Sequence, residues 1–268
     1  MRGQRKSFMA KDGNISYSRK GKHKYLEEIN DAILRQIPIN TTHNKRMVLD
    51  VGCGMGALAE AIQNKGYIVW GIDLNEEATQ IAAKRIEKII NVDLTDITSI
   101  KAEIGNQCFD YLVFADILEH IYDPSNILKE YLALLRNGGY VLVSLPNTVA
   151  WTNRIKFLLG KFEYADTGIM DRDHIRFFTF KTAKRLVTSA GCSVIKVDYI
   201  PYFVRIAQPI FKKILLKGKK AEDTDRRQLL DSPYYKWYMK YINPIEYFLG
   251  YFCKSLFAFK MIIVGKKL

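Results

Sequence analysis

The apolar residues of this chain fall into short runs that alternate with segments of helical periodicity. Met47–Val51, Phe109–Ala115 and Tyr140–Leu145 are nearly continuous apolar runs, which is typical of strands covered on both faces. The pattern predicts four more strands, at residues 67–72, 88–92, 192–200 and 256–264. It predicts helices at residues 57–65, 75–86, 124–136 and 180–190, with glycine at or just after several of their ends. Repeated strand–helix units predict an α/β fold with a seven-stranded, mostly parallel sheet.

Three regions of different composition define the predicted domain organisation. Residues 1–40 are predicted to form a basic arm and a covering helix that stops at Pro38. Residues 41–200 together with 256–268 form the predicted α/β domain. Residues 201–255 interleave Lys and Arg with aromatic residues, and we expect them to be an inserted helical cap.

The first predicted strand runs into a glycine-rich turn and then a helix, Val48-Leu49-Asp50-Val51-Gly52-Cys53-Gly54-Met55-Gly56. Glycines let the backbone approach a ligand closely, and the helix N-terminus offers free N–H groups. With Ala57 the turn also satisfies a dinucleotide-binding fingerprint, so an NAD-dependent enzyme is one interpretation. Asp50 favours another, because a carboxylate beside the turn suits a cationic amino-acid group and repels a pyrophosphate. Asp73 and Asp93 follow the next two strands, where they could accept from ribose hydroxyls and from an adenine amino group.

Residues 46–146 resemble the class I S-adenosylmethionine-dependent methyltransferases. The matching segments, in family order and spacing, are VLDVGCGMG, GIDLNEEA, NVDL, FDYLVFADILEHI and LRNGGYVLVSLPN. The resemblance implies a Rossmann-like sheet with a reversed last strand, which fits the 256–264 run, and S-adenosylmethionine as cofactor. It implies that the glycine turn passes the methionine part, Asp73 holds the ribose and Asp93 holds the adenine. The predicted cofactor site comprises Asp50, Gly52, Cys53, Gly54, Gly56, Asp73, Leu74, Asp93, Leu94 and Ala115.

The segment after the fourth strand carries the candidate chemistry. Enzymes that methylate exocyclic base amines have an (Asn/Asp/Ser)-Pro-Pro-aromatic loop there, and its absence argues against DNA adenine or cytosine-N4 methylation. Asp116, Glu119 and His120 lie within five residues, and His174 follows in a later polar segment. Carboxylate and imidazole together suit Mg²⁺, Mn²⁺ or Zn²⁺, which would lower the pKa of a substrate hydroxyl. Alternatively, His120 is a general base without metal, and Glu119 and His174 only orient the loop.

Two further resemblances concern the acceptor. The acid-x-x-Glu-His spacing resembles that of ubiquinone-pathway O-methyltransferases and of small-RNA 2′-O-methyltransferases, in which a later His completes a metal site. Asp116 stands where these families have Glu and is one methylene shorter. The predicted catalytic residues are therefore His120, Asp116 and His174, and the predicted metal ligands are Asp116, Glu119, His120 and His174. Residues 146–180 resemble methyltransferases found beside glycosyltransferases in prokaryotic surface-polysaccharide pathways, which implies a sugar or lipid-linked glycan as acceptor.

The net charge and the cysteines indicate which partners and which cellular location to expect. The formal net charge of +13 favours an anionic partner: nucleic acid, an anionic membrane face or a phosphorylated substrate. We expect residues 201–255 to be a lid, to contact a membrane surface or to stack on single-stranded nucleic acid. The four cysteines are scattered, and the chain has neither a signal-peptide pattern nor an apolar run of membrane-spanning length. The expected location is the cytoplasm, with peripheral contact at the inner membrane face.

Three functional hypotheses remain open on the sequence. The first is O-methylation of a hydroxyl on a sugar, glycolipid or small metabolite. The second is RNA ribose 2′-O-methylation, which the basic charge and the later His favour. The third is a non-catalytic, cofactor-binding partner of a glycan assembly.

Overall fold

A seven-stranded sheet organises the described part of the chain. The computed structural model describes residues 29–41, 44–201 and 243–268 and the single positions 233, 237, 240 and 241. The strands are β1 (Met47–Val51), β2 (Ile68–Asp73), β3 (Lys88–Asn91), β4 (Phe109–Ala115), β5 (Leu135–Pro146), β6 (Cys192–Pro201) and β7 (Ala258–Lys267).

The strand order is β3-β2-β1-β4-β5-β7-β6. The first five strands pair in parallel, whereas β7 runs antiparallel to both β5 and β6. This arrangement confirms the predicted Rossmann-like α/β fold with a reversed last strand. The chain crosses from one side of β1 to the other between β3 and β4, so the carboxyl ends of β1 and β4 flank the topological switch point.

Helices cover both faces of this sheet. They are α1 (Asp31–Leu34), α2 (Ala57–Gln63), α3 (Glu76–Ala82), α4 (Ile97–Ile104), α5 (Pro124–Leu132), α6 (Trp151–Leu158), α7 (Phe180–Ser189), α8 (Asn243–Phe252) and α9 (Lys254–Phe257), with a 3-10 turn at Leu118–His120. Asn75, Asp96, Asp123 and Thr179 cap the N-termini of α3, α4, α5 and α7 with their side chains.

The central strands β1 and β4 and the second half of β5 are mostly apolar because they bury both faces. The outer strands β3 and β6 carry polar residues at exposed positions. In β4, Leu112 and Phe114 belong to a cluster shared with α4, α5 and α7, while Tyr111 and Val113 belong to a cluster shared with α1 and α2. Alternate residues of a strand point to opposite faces, so a strand between two helical layers needs apolar residues at every position. Polar side chains can therefore reach a ligand mainly at the ends of the strands.

Several element boundaries differ from the sequence prediction. β5 begins at Leu135, so Asn137-Gly138-Gly139, which were predicted to end a helix, lie inside the strand. Leu135 pairs with Phe109, and a register shift with Gly138 at φ +74° absorbs the additional residues. β7 begins at Ala258 rather than 256 because the preceding residues form α9. The apolar pattern also missed α6, which buries only Asn153 and therefore has little helical periodicity to detect.

Parts of the predicted organisation lie outside the described residues. These are the basic arm with the start of its covering helix, residues 1–28, and most of the predicted cap, residues 202–232. The described end of the cap is helical, in α8 and α9. Within the described ranges, no helix is both long and apolar enough to cross a bilayer.

Candidate active site

The glycine turn connects β1 to α2 and is fixed to β2. The N–H groups of Gly52 and Cys53 donate to Ile72 O at 2.8 and 3.0 Å. Gly52, Gly54 and Gly56 have φ values of +76°, +55° and +82°, a backbone conformation that favours glycine. A Cβ added to Gly52 would lie 2.8 Å from Ile117 Cδ1, in the segment after β4. The turn therefore lies in direct contact with the loop that carries the candidate catalytic residues.

Asp73 links this turn to the start of α3. Its Oδ2 accepts from Gly54 N at 2.8 Å and its Oδ1 accepts from Asn75 N at 2.9 Å. Each carboxylate oxygen has more than one lone pair, so both retain acceptor capacity for ribose hydroxyls. The structure places Asp73 at the end of β2, where its carboxylate orders the glycine turn; its contact with a ribose stays a prediction.

Asp50 is buried beneath the turn, with 1% of its surface exposed. No described group hydrogen-bonds its Oδ1. Burial, together with the negative charge of Asp73, raises the pKa of Asp50 to about 7. A buried carboxylate without a hydrogen-bond partner is costly unless a ligand supplies one. The cationic amino-acid end of S-adenosylmethionine fits that requirement.

The predicted adenine end of the site follows β3. Asp93 Oδ1 accepts from both the N–H and the hydroxyl of Thr95, at 2.8 and 2.7 Å. These bonds orient the carboxylate and leave Oδ2 for a ligand. Leu74 is 48% exposed, and Leu94 is half-buried. Leu74 and Leu94 lie next in the chain to Asp73 and Asp93. Such a combination suits an adenine ring with hydrogen-bond donors at its edge and on the attached ribose.

The loop after β4 starts with a backbone turn at Asp116. Among the described residues, Asp116 is the one non-glycine with positive φ, at +57°. Its carboxylate accepts from Ser144 Oγ at 2.8 Å and from Lys260 Nζ at 2.6 Å. Asp116 is therefore bound to β5 and β7, and it lies outside the cluster that the other three predicted metal ligands form.

Glu119, His120 and His174 come together at the carboxyl edge of the sheet. One potential ligand atom from each lies within 4.8 Å of the others, and the two imidazole centroids are 4.8 Å apart. Glu119 and His174 are buried, and His120 is half-buried. Backbone bonds draw the two segments together, because Glu119 O accepts from the N–H groups of Ile175 and Arg176, each at 3.0 Å.

Backbone carbonyls orient both imidazoles in the same way. His120 Nδ1 lies 3.0 Å from Asp173 O, and His174 Nδ1 lies 3.0 Å from Ile169 O. A carbonyl only accepts, so the proton of a neutral ring belongs on Nδ1 and the lone pair on Nε2. The His174 Nε2 lies 3.9 Å from Glu119 Oε1.

The electrostatics of the cluster favour neutral imidazole and disfavour carboxylate. Burial lowers the pKa of His120, and the neighbouring His174 lowers it further. Burial and the charge of Asp116 raise the pKa of Glu119 well above its usual range. Glu119 Oε2 is buried and has no described hydrogen-bond partner. The Nε2 atom of each imidazole has one lone pair, and Glu119 offers a carboxylate oxygen without a described partner. These three donor atoms fit a divalent cation with three protein ligands and an open coordination position.

Sequence reasoning missed Lys260. It lies in β7, 144 residues from Asp116, and its side chain is 15% exposed. The available signal was a lysine within the otherwise apolar run Ala258-Phe259-Lys260-Met261-Ile262. A cation in a buried strand requires an anionic partner, and β7 runs antiparallel to β5, which brings its first residues to the carboxyl edge of the sheet.

The sheet order and the glycine turn, with Asp50 within β1, Asp73 at the end of β2 and Asp93 after β3, are those of a class I methyltransferase fold. The family model described as "Methyltransferase domain" matches residues 21–197. The chain belongs to this family of S-adenosylmethionine-dependent methyltransferases.

Curated relatives and solved structures agree with this assignment. The chain is 35% identical over 210 residues to the ubiquinone biosynthesis O-methyltransferase of Thiobacillus denitrificans, covering 77% of this chain and 86% of that one. It is 36% identical over 130 residues to the Coxiella burnetii protein of the same name, a match that spans 47% of this chain and 55% of that relative.

In structure, the chain resembles a SAM-dependent methyltransferase from Archaeoglobus fulgidus, with a TM-score of 0.55, 19% identity and coverage of 88% and 92% of the two chains. It also resembles phosphoethanolamine N-methyltransferase 2 from Haemonchus contortus, with a TM-score of 0.54, 18% identity and coverage of 89% and 52%. These structural likenesses concern the fold.

Proposed function

We propose that this chain transfers the methyl group of S-adenosylmethionine to a hydroxyl oxygen. The observation that carries the proposal is His120, whose Nδ1 bonds Asp173 O at 3.0 Å and whose Nε2 lone pair therefore remains for a substrate proton. His120 follows β4 directly, on the loop that contacts the glycine turn through Ile117. The names of the curated relatives, ubiquinone biosynthesis O-methyltransferases, support oxygen as the accepting atom.

In this proposal the protein contributes alignment and proton removal. The sulfonium methyl is already activated, so the oxygen–carbon bond forms as the carbon–sulfur bond breaks. His120 Nε2 takes the proton that the hydroxyl loses, and Asp173 O stabilises the resulting imidazolium through Nδ1–H. Because burial lowers the pKa of His120, the ring is in its basic form at neutral pH.

In a second form of this proposal, the reaction depends on a divalent cation. Glu119, His120 and His174 would hold Mg²⁺, Mn²⁺ or Zn²⁺, and Asp116 would order the loop through Lys260 and Ser144. Such a cation would lower the pKa of the acceptor hydroxyl. His120 would then be a ligand, and the proton would leave to solvent or to a neighbouring base.

For the acceptor we propose a sugar, a glycolipid or another small hydroxylated metabolite. The likeness of residues 146–180 to methyltransferases of polysaccharide pathways supports a lipid-linked glycan. We propose that residues 201–255 form the lid over it, with contact to the inner membrane face.

Substitutions in the cluster test the reaction and separate its two forms. His120→Ala should lower methyl transfer to a panel of hydroxyl acceptors by about 10²–10⁴-fold. Its affinity for S-adenosylhomocysteine should stay within about threefold, because the cofactor residues are elsewhere. Tyr122→Phe, which removes only the hydroxyl of an exposed neighbour, is the matched control. Unchanged turnover in His120→Ala would contradict the assignment.

Chelation distinguishes the metal form from the metal-free form. If a cation is used, chelator should abolish turnover, Mn²⁺ should restore it, and Glu119→Gln and His174→Ala should lose both Mn²⁺ binding and activity. If His120 acts alone, chelator should have no effect and Glu119→Gln should retain turnover.

RNA ribose methylation is the second candidate function, favoured by the net charge of +13 and by the pairing of His120 with His174. It requires RNA binding that weakens steeply with salt. A non-catalytic binding partner, the third candidate, would bind S-adenosylmethionine without transferring its methyl group to any acceptor in the panel.

A further inference from the structure

A cationic groove lies on the same sheet edge as the active site and has no role in the proposed chemistry. Its volume is about 590 Å³, and its lining residues are Val149, Arg154, Thr179, Phe180, Lys181, Lys184 and Ser255. Val149 follows the carboxyl end of β5, and Thr179 follows Phe178, which bridges to Asn147. The groove thus borders the edge where an acceptor would enter.

Three cations converge on this groove. Arg154 is held in place, because its Nε donates to Val149 O at 2.7 Å and its Nη2 donates to Ser255 Oγ at 3.4 Å. Lys181 and Lys184 lie three residues apart on α7 and therefore share a face of that helix. Within the described part of the chain, none of the three forms an ion pair with a carboxylate, so their charge is available to a ligand.

Exposed apolar side chains follow or precede two of the lining residues, Arg154 and Ser255, closely in the chain. Leu158, one helical turn after Arg154, is 87% exposed, and Leu159 and Phe162 are 66% and 57% exposed. Tyr251 and Phe252 at the end of α8 are 76% and 71% exposed. They lie within four residues of Ser255, which lines the groove. Side chains of this size are seldom left in water without a partner when they occur together.

We propose that this groove and these exposed apolar side chains form a docking surface for an anionic phospholipid bilayer. The cations would bind headgroup phosphates, and the exposed Leu, Phe and Tyr side chains would enter the boundary between headgroups and acyl chains. The surface combines cations with apolar side chains, and a bilayer surface combines phosphate groups with acyl chains, so the two surfaces are complementary. Docking at this edge brings the active site to the membrane surface, where a lipid-linked hydroxyl is accessible.

Vesicle co-sedimentation of the full chain tests this surface. The wild type should bind vesicles of phosphatidylglycerol and phosphatidylcholine and should not bind pure phosphatidylcholine. The triple variant Arg154→Glu, Lys181→Glu, Lys184→Glu should bind at least about 100-fold more weakly, since each cation near an anionic surface contributes about fivefold or more. Leu158→Ser with Leu159→Ser should weaken binding by at least about tenfold.

A control of equal charge separates the groove from the net charge. Lys45, Lys84 and Lys129 are exposed and lie on other surfaces of the fold. Their conversion to Glu should leave vesicle binding within about threefold of the wild type. Calorimetry with S-adenosylhomocysteine checks that every variant is folded. The readout needs no methyl transfer, so it is independent of the proposed reaction.

Several results would overturn the proposal. One is a wild type that fails to bind the anionic vesicles. Another is that the two triple charge-reversal variants weaken vesicle binding equally, because binding would then depend only on the net charge. Release of the protein from vesicles by millimolar glycerol 1-phosphate would identify a free phosphate ester as the ligand. Binding of RNA but not of vesicles through the same three cations would assign the groove to nucleic acid.

Discussion

At the scale of single residues, the predicted cofactor site contains a carboxylate, Asp50, whose Oδ1 has no hydrogen-bond partner among the described residues. Asp50 is buried and has an unpartnered Oδ1, and burial raises its pKa to about 7. A folded-state pKa above the unfolded value means that stability is greatest below the unfolded pKa, about 3.9, and declines as the pH rises through 7. The ligand-free protein should therefore lose part of its stability between pH 4 and 7.

Asp50→Asn should remove this pH dependence. We expect the variant to gain about 1 kcal/mol or more at pH 8 without cofactor, which corresponds to about 2–4 °C in melting temperature. It should bind S-adenosylhomocysteine more weakly than the wild type, because the ammonium group loses its counter-charge. Thermal melts from pH 4 to 8 measure the first effect and calorimetry the second. If the melting temperatures of the wild type and Asp50→Asn changed with pH in the same way, the buried charge of Asp50 would not be the source of the pH dependence.

The ion pair between Lys260 and Asp116 makes a separate stability prediction. Its 2.6 Å contact is partly buried, with side-chain exposures of 15% and 26%. Lys260→Met should lower the free energy of unfolding by about 1–3 kcal/mol, because it leaves a partly buried carboxylate without its cation. Asp116→Asn in the Lys260→Met background should recover part of that loss in urea unfolding. Equal unfolding free energies for the single and double variants would argue against coupling of the pair.

The sequence predicted that Glu119, His120 and His174 act together, and the structure brings one atom of each within 4.8 Å of the others, because all three lie on loops at one edge of the sheet. The sequence was not sufficient for the direction of Asp116. That direction depends on Lys260, a partner 144 residues away whose register is set by the antiparallel pairing of β7 with β5. Local spacing carries no information about such a contact.

At the scale of elements, the glycine turn and the loop after β4 are mechanically coupled. Gly52→Ala places a Cβ 2.8 Å from Ile117 Cδ1 at a φ of +76°. We expect a loss of about 1–3 kcal/mol of stability and a clear loss of cofactor affinity.

Ile117→Ala should relieve the clash but not the backbone strain. The double variant Gly52→Ala, Ile117→Ala should therefore be more stable than the sum of the two single changes allows, and a double-mutant cycle by urea unfolding measures the difference. Strictly additive effects would show that the two loops do not press against each other.

Element boundaries were predictable where periodicity and turn chemistry agree. β1, β4 and α7 were placed to within a residue, because the two strands are apolar apart from one acid each and the helix is capped by Thr179. The start of β5 was not, because Asn137-Gly138-Gly139 is equally suited to a helix end and to a turn within a strand. α6 was missed because its exposed residues mix Arg154 and Lys156 with Ile155 and Leu158, which leaves no regular apolar stripe.

At the scale of the whole molecule, the sheet order together with Asp50, Asp73 and Asp93 predicts the cofactor class, and the residues after β4 form the proposed site of the chemistry. Both depend on the glycine turn holding a sulfonium amino acid, with Asp50 as its counter-charge. Isothermal calorimetry on the full chain tests this claim directly. We predict saturable binding of S-adenosylhomocysteine, weakened by Asp50→Asn, and no heat with NADH. Uptake of NADH without binding of S-adenosylhomocysteine would contradict the account.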